Sequence, residues 1–269
     1  VIGWPVSHSL SPAIHNAAFE AMGLDWVYTG LPVEPGRLPQ ALAGLGALGF
    51  SGVNVTMPHK TESASLATDL SEDAERLGSV NTFLVDDDGL HGHNTDAPGF
   101  ERFLRKDAAF EPAGREVLIF GAGGAARAVS LAVVRAGASA VVVAVRDPAS
   151  AAPLLEALDG SAARLRVIPM AGATTTRPDL LVNATPLGAR GEDLPLPASL
   201  HGMTVVDLLY HPSVTPLQTR AQADGAAAFG GLGLLLHQAA LSSELWTGTA
   251  PPLDVMSAAA LAELADRER

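Results

Sequence analysis

Glu116-Val-Leu-Ile-Phe120 runs without interruption into Gly121-Ala-Gly123-Gly124-Ala-Ala126-Arg127, and Ala128-Val-Ser-Leu-Ala-Val-Val-Arg135 follows with helical character. A short apolar run, a Gly-x-Gly-x-x-Ala turn and a helix in that order leave few folds open. In such a unit Gly121 permits the tight turn and Gly123 lets the backbone approach a pyrophosphate. Ala126 lets the helix lie close on the sheet, and the N–H groups of the first helical turn face the anion. The same turn also occurs without a ligand, so the pattern gains its weight from the strand before it and the helix behind it.

The rest of the chain has the same rhythm. Short β-branched or apolar runs alternate with longer alanine- and leucine-rich stretches, the mark of an α/β fold with a mostly parallel sheet. We expect strands at Val1 to Gly3, Trp26 to Leu31, Gly52 to Thr56, Glu116 to Phe120, Ala140 to Val145, Leu165 to Ile168, Leu180 to Asn183 and Thr204 to Asp207. A linker is expected between Asp107 and Arg115, with a new domain opening after it. Leu232 to Trp246 reads as a long apolar helix, and Pro251-Pro252 introduces one more, ending in Arg269.

At 269 residues the chain is longer than one ordinary domain, and two are expected. Its 17 Lys and Arg stand against 29 Asp and Glu, a net charge of −12, so the overall field repels phosphate backbones and anionic membranes. An anion site therefore has to be local. The absence of cysteine excludes disulfides, thiol nucleophiles and Cys-ligated zinc. The run Val1 to Val6 is broken by Gly3 and Pro5 and has no basic flank, unlike a signal peptide, and no run reaches membrane-spanning length. We expect a cytoplasmic protein, monomer or homodimer, that engages neither nucleic acid nor membrane. The absence of an initiator Met leads us to expect a few residues ahead of Val1.

The second strand of the expected nucleotide unit ends in Val145-Arg146-Asp147-Pro148, where dinucleotide folds read the adenosine ribose. An acid there suits the free hydroxyl of NAD, and an arginine accommodates the 2′-phosphate of NADP. Arg146 favours NADP. Asp147 would oppose it if it faced the ribose, but an Asp followed by Pro also suits the start of a helix.

Four segments in the first part concentrate polar groups beside helix starts. In Gly3-Trp-Pro5-Val-Ser-His8-Ser9-Leu-Ser11-Pro12, Ser11 reads either as an N-cap before a first-turn proline or, with Ser9, as a hydroxyl pair for a polyol or carboxylate. Gly52-Val-Asn54-Val-Thr56-Met-Pro58-His59-Lys60 is a strand ending in a lysine loop, and lysines in loops are ordinarily solvated. Gly78-Ser-Val80-Asn81-Thr82 follows, then Gly92-His93-Asn94-Thr95-Asp96-Ala-Pro98-Gly99-Phe100, in which Asp96 alone would read as a helix cap. His91-Gly-His93 has no third ligand nearby and reads as a polar turn, not a metal site.

Taken in order, these segments resemble the shikimate dehydrogenase family: Ser-x-Ser-Pro, Asn-Val-Thr-x-Pro-x-Lys, Val-Asn-Thr and Asn-Thr-Asp-x-x-Gly-Phe. The resemblance continues through Gly121 to Ala125, Asn183-Ala-Thr-Pro186, Asp207-Leu-Leu-Tyr210-His-Pro212, Thr215-Pro-Leu217, Gly231 to Gln238 and Leu245-Trp-Thr-Gly248. It implies an α/β substrate domain with a Rossmann-like doubly wound nucleotide domain inserted in it, residues 1–97 and 233–269 around 98–232. The activity it implies is reversible reduction of 3-dehydroshikimate to shikimate by NADPH, with Lys60 and Asp96 as the catalytic pair. By matching positions, Ser9, Ser11, Thr56, Lys60, Asn81, Asp96, Tyr210 and Gln238 would hold the substrate. Gly121, Gly123, Gly124 and Ala125 would contact the pyrophosphate, Arg146 the 2′-phosphate, and Thr185 and Gly231 the ribose-nicotinamide side.

The sequence departs from the family pattern at Val145, Asp147, Ala189, Leu234 and Ser243. Ala189 and Leu234 imply a smaller or less adaptable nicotinamide wall. Relatives on this scaffold oxidise quinate or aminoshikimate, and a non-catalytic nucleotide- or metabolite-binding regulator is the rival from another class. Ser11 in place of a bulkier threonine favours shikimate, and the intact Lys60 and Asp96 favour an enzyme.

Overall fold

The computed structural model describes residues 1–267. The chain forms two compact units, Val1–Thr95 with Leu236–Arg269 and Asp96–Leu235.

The first unit contains β1 (Ile2–Gly3), α1 (Ser11–Ala21), β2 (Leu31–Pro32), α2 (Leu38–Ala43), β3 (Gly52–Asn54), α3 (Lys60–Ala64), β4 (Asp69–Leu70), α4 (Glu72–Leu77), β5 (Thr82–Asp86) and β6 (Gly89–His93). Four strands make a mixed sheet in the order β3-β5-β6-β4, in which only the β4–β6 pair is parallel. β1 and β2 pair in parallel beside it, and an Ile2–Val55 bridge joins β1 to the chain just beyond β3. Ile2, Leu42, Val53, Val55 and Phe83 fill its core, each such side chain contributing about 1.5–3 kcal/mol of burial. His91, in the middle of β6, bridges a carboxylate on β4 and another at the end of β5. His91 lies 2.7 Å from Asp69 through Nδ1 and 2.9 Å from Asp86 through Nε2, and these two hydrogen bonds raise its pKa above the ordinary imidazole value.

The strand expected over Trp26 to Leu31 shrinks to Leu31–Pro32. Asn16 takes the place of a neighbouring strand. Its Oδ1 accepts the Tyr28 N–H at 2.7 Å and its Nδ2 donates to the Tyr28 carbonyl at 2.9 Å, so the backbone is satisfied without a ladder.

The second unit contains α5 (Asp96–Lys106), β7 (Glu116–Phe120), α6 (Gly124–Arg135), β8 (Ala140–Val145), α7 (Ala152–Ala157), β9 (Arg164–Pro169), β10 (Leu180–Asn183), β11 (Thr204–Asp207), α8 (Pro216–Ala223) and β12 (Ala227–Phe229). Its six strands are all parallel in the order β12-β11-β10-β7-β8-β9. This is the doubly wound order, with its switch point between β7 and β10. β7, β8, β10 and β11 read as continuous apolar runs because both faces of a parallel sheet are covered, and Leu118, Val142, Leu181 and Val205 are buried in one cluster. The segment expected to link domains, Asp107 to Arg115, lies inside this unit between α5 and β7. The long helix α9 (Leu232–Thr247) opens in the second unit and continues into the first, which α10 (Leu253–Arg267) completes. Among the described residues no helix is long and apolar enough to cross a membrane.

Within the first unit, His15 of α1 is buried without a hydrogen-bond partner on either ring nitrogen, stacked on Tyr28 at a centroid distance of 4.2 Å. Burial pushes its pKa down to about 3 from 6.5. Because the folded value is depressed, the unfolded chain binds the extra proton between those values. Stability is fully present above pH 6.5 and falls toward pH 3, at about 1.4 kcal/mol per pH unit. In urea titrations, the stability of His15→Met relative to wild type is expected to improve by roughly 2 kcal/mol between pH 7 and pH 5; an unchanged gap would contradict it.

Candidate active site

The loop before α1 distinguishes its two serines. Ser9 Oγ accepts the Ser11 N–H at 3.2 Å, and Ser11 is the first helical residue with no capping bond from its own side chain. Capping therefore does not account for Ser11; its hydroxyl faces the Tyr28 phenol.

Thr56 follows β3 and Lys60 opens α3. His59, almost fully buried, pins that corner: its Nε2–H donates to the Val33 carbonyl at 2.7 Å, which assigns the tautomer, because a carbonyl only accepts. The Lys60 carbonyl accepts the Val80 N–H at 2.9 Å and the Asn81 carbonyl accepts the Val55 N–H at 2.8 Å. Thr56, Lys60 and Asn81 thus stand on adjoining, mutually bonded segments.

Beneath them lies a buried polar network. Tyr28 Oη donates to Asn54 Oδ1 at 2.6 Å, and Asn54 Nδ2 reaches the Asn81 carbonyl, Thr82 Oγ1 and Ser242 Oγ at 2.9–3.2 Å. Asn81 in turn donates to Thr95 Oγ1 at 3.0 Å and accepts the Thr95 N–H at 2.8 Å. One turn before Ser242 on α9, the Gln238 carbonyl accepts the Ser242 hydroxyl at 3.0 Å. Such a network is costly unless every member is satisfied, and when satisfied it holds its members rigidly. Burial pushes the Tyr28 phenol above its ordinary range, against the smaller opposing effect of the Ser11 hydroxyl. Asn54, Thr95 and Ser242 were not singled out from sequence, although asparagine inside an apolar strand is a signal of such a network.

The first unit thus gathers Ser9, Ser11, Thr56, Lys60, Asn81 and Gln238. In the second, Asp96 is the first residue of α5, 9% exposed, where the helix dipole favours a negative charge. Tyr210 follows β11 and is half-buried.

The turn after β7 suits a pyrophosphate. Gly121 has φ +101°, and a Cβ there would meet Thr185 Cγ2 at 3.0 Å and the Ala184 carbonyl at 3.1 Å. A Cβ on Gly123 or Gly124 would meet nothing within 4 Å, so the backbone is open to a ligand. No side chain caps α6, which leaves its first-turn N–H groups for an anion. Thr185 is held by Asn183, whose Oδ1 accepts its N–H at 3.0 Å and its hydroxyl at 2.7 Å. Gly231 packs so tightly on the Leu208 carbonyl that a Cβ would overlap it.

Arg146 is exposed at the end of the wholly buried strand β8. Asp147 next to it is a cap: its Oδ1 accepts the Ala149 N–H at 3.0 Å, at the start of a 3₁₀ turn over Pro148–Ala151. That bond accounts for the carboxylate beside Arg146. Arg127, in the first turn of α6, is a second, half-buried cation on this side, one that sequence reasoning quoted without assigning it a role. His91 is occupied by its two carboxylates, and among the described residues no group of three or more His, Asp or Glu side chains could hold a metal ion.

Residues 1–83 match the model of the shikimate dehydrogenase substrate binding domain, and residues 231–261 that of the shikimate 5'-dehydrogenase C-terminal domain. A protein of Geobacter metallireducens named shikimate dehydrogenase (NADP(+)) is 43% identical over 273 residues, spanning 98% of this chain and 96% of that one. Shikimate 5-dehydrogenase from Thermus thermophilus, solved in complex with NADP(H) and shikimate, superposes with a TM-score of 0.87 at 38% identity, covering 98% of each chain. Quinate dehydrogenase from Corynebacterium glutamicum, solved with NAD, superposes with a TM-score of 0.89 at 30% identity over 97% of each chain. With a doubly wound unit built around Gly121 and a full-length relative at 43% identity, this chain belongs to the shikimate dehydrogenase family.

Proposed function

We infer that the chain is an NADP-dependent shikimate dehydrogenase, interconverting 3-dehydroshikimate and shikimate on the route to aromatic amino acids. The observation that carries this reading is the set of bonded segments bearing Thr56, Lys60 and Asn81 in a chain so similar to shikimate dehydrogenases over its whole length. The higher identity to shikimate dehydrogenases than to the quinate enzyme favours shikimate.

In this reading Ser9, Ser11, Thr56, Asn81, Tyr210 and Gln238 hold the carboxylate and hydroxyls of the substrate. Gly121, Gly123, Gly124 and Ala125 take the pyrophosphate, Arg146 the 2′-phosphate, and Thr185 and Gly231 the ribose-nicotinamide side. The nicotinamide, when bound, supplies or accepts the hydride. Reduction of a ketone leaves negative charge on its oxygen, so the Lys60 ammonium stabilises that charge and delivers the proton. Asp96, an acceptor, orients the hydroxyl and the ammonium. We place the protein in the cytoplasm.

The test is NADPH or NADH formation from shikimate and, separately, quinate. Shikimate with NADP⁺ is expected to be the best pair; faster turnover of quinate or of NAD⁺ would replace this reading. Arg146→Ala is expected to raise KM for NADPH by roughly 10- to 100-fold, the worth of charge-assisted bonds to a phosphate. KM for NADH should stay within about threefold, because NADH lacks that phosphate. Equal losses with both cofactors would remove Arg146 from phosphate recognition.

A further inference from the structure

Asp207 ends β11 and is 0% exposed. Its carboxylate accepts three hydrogen bonds: the Asn183 Nδ2–H at 3.0 Å and the Leu209 N–H at 3.2 Å on Oδ1, and the Thr215 hydroxyl at 2.7 Å on Oδ2. Thr215 Oγ1 also accepts the Gln218 N–H as the cap of α8, so its single proton is available to Asp207. Every one of these donors is neutral. Burial raises the pKa of this carboxylate and the three hydrogen bonds oppose that rise; no neighbouring cation cancels the charge of its ionised form, and in a low-dielectric interior such a charge acts over several ångströms.

The position of that charge gives it a use. Asn183 links Asp207 to Thr185, and Leu208, the next residue, forms the floor under Gly231. Asp207 therefore lies at the carboxyl ends of β10 and β11, on the far side of the switch point from the Gly121 turn. In a doubly wound fold the two halves of the sheet each take one mononucleotide of a dinucleotide. With the pyrophosphate on the Gly121 turn and Arg146 at the end of β8, the nicotinamide nucleotide belongs to the β10–β11 half. A nicotinamide ring is cationic when oxidised and neutral when reduced, so a fixed anion in this half distinguishes the two forms.

We propose that Asp207 is an electrostatic positioning residue whose buried charge favours the oxidised over the reduced cofactor, setting the balance between NADP⁺ and NADPH on the protein. The proposal rests on the nicotinamide-dependent function inferred above. It requires no contact between Asp207 and the ring. The three hydrogen bonds keep the carboxylate still, and the charge acts through the loop that it holds.

The test is the ratio of the dissociation constants of NADP⁺ and NADPH, measured by calorimetry and by NADPH fluorescence without substrate. A Kd is independent of the fraction of correctly folded protein, so a merely structural loss does not move the ratio. Asp207→Asn is expected to weaken NADP⁺ relative to NADPH by roughly tenfold, equivalent to about 30 mV in the potential of the bound two-electron couple. Asp207→Ser serves as the neutral variant if the asparagine protein does not accumulate folded. Thr215→Val removes one hydrogen bond but keeps the charge, and its ratio should stay within about twofold of wild type. An unchanged ratio in the neutral variants, or an equal change in Thr215→Val, would overturn the proposal. Failure of wild type to bind either cofactor form would instead overturn the dehydrogenase reading beneath it.

Discussion

Lys60→Ala is expected to lower kcat for shikimate oxidation by roughly 10²- to 10⁴-fold, the contribution of a positioned acid–base group. KM for shikimate should change far less. On the reading proposed above, Ser9, Ser11, Thr56, Asn81 and Gln238 remain to hold the substrate, and an interaction made mainly with the developing charge leaves ground-state binding largely intact. The corner itself should survive, because its anchors are the His59 ring on the Val33 carbonyl and the Lys60 backbone carbonyl on Val80, neither of which needs the lysine side chain. Steady-state kinetics beside a thermal melt decides the matter: turnover within about fivefold of wild type, with an unchanged melt, would take Lys60 out of the chemistry.

The second large effect is expected at a glycine. A methyl group on Gly231 would collide with the Leu208 carbonyl, its carbonyl carbon and its Cα, which are all backbone and cannot rotate away. Gly231→Ala must therefore displace the chain between Asp207 and Tyr210 or the start of α9. Overpacking against backbone costs about 3 kcal/mol, the upper part of the usual range. At about 2–4 °C per kcal/mol for a unit of this size, Tm should fall by roughly 6–12 °C. NADPH binding should weaken in the protein that remains folded, since the same displacement moves the loop beside Thr185. A melt and binding curve matching wild type would show that the contact relaxes freely.

The doubly wound unit was legible because its inner strands are wholly buried. Val117 to Phe120, Val141 to Val145 and Leu180 to Val182 are apolar on both faces, and the Gly121 turn marks where the first of them ends. β12 was missed because Ala-Ala-Phe on the sheet's edge carries no such run. The hairpin of β5 and β6 was missed for a related reason: Gly89-Leu-His-Gly-His93 has two glycines and two histidines, and its pairing comes from the β5 and β4 ladders on either side, not from its own propensity. Trp26 to Leu31 misled in the opposite direction, since its β-like composition is answered by the Asn16 side chain in place of a strand.

The candidate site divides in the same way. The lysine loop, the glycine turn and the Arg146 strand end are local patterns, and local patterns can be read. Ser9 rather than Ser11 bonding the start of α1, the Tyr28–Asn54–Asn81 network and the carboxylate of Asp207 depend on segments far apart in sequence. Asp207 and Asn183 were visible only as parts of family segments; that they form a buried pair follows from β10 and β11 lying side by side.

The Asp147 cap bears on how cofactor preference can change in such a chain. Its carboxylate is engaged by the Ala149 N–H in a turn that Pro148 rigidifies. On the proposed reading of this strand end, an acid at the ribose-reading position is thus present in the sequence and withdrawn from that role by its own turn. Deleting Arg146 should produce an enzyme weak with both nicotinamides instead of one converted to NAD. Conversion calls for two coordinated changes, loss of the cation and release of the carboxylate from its turn, so neither single substitution offers an intermediate that gains on NAD.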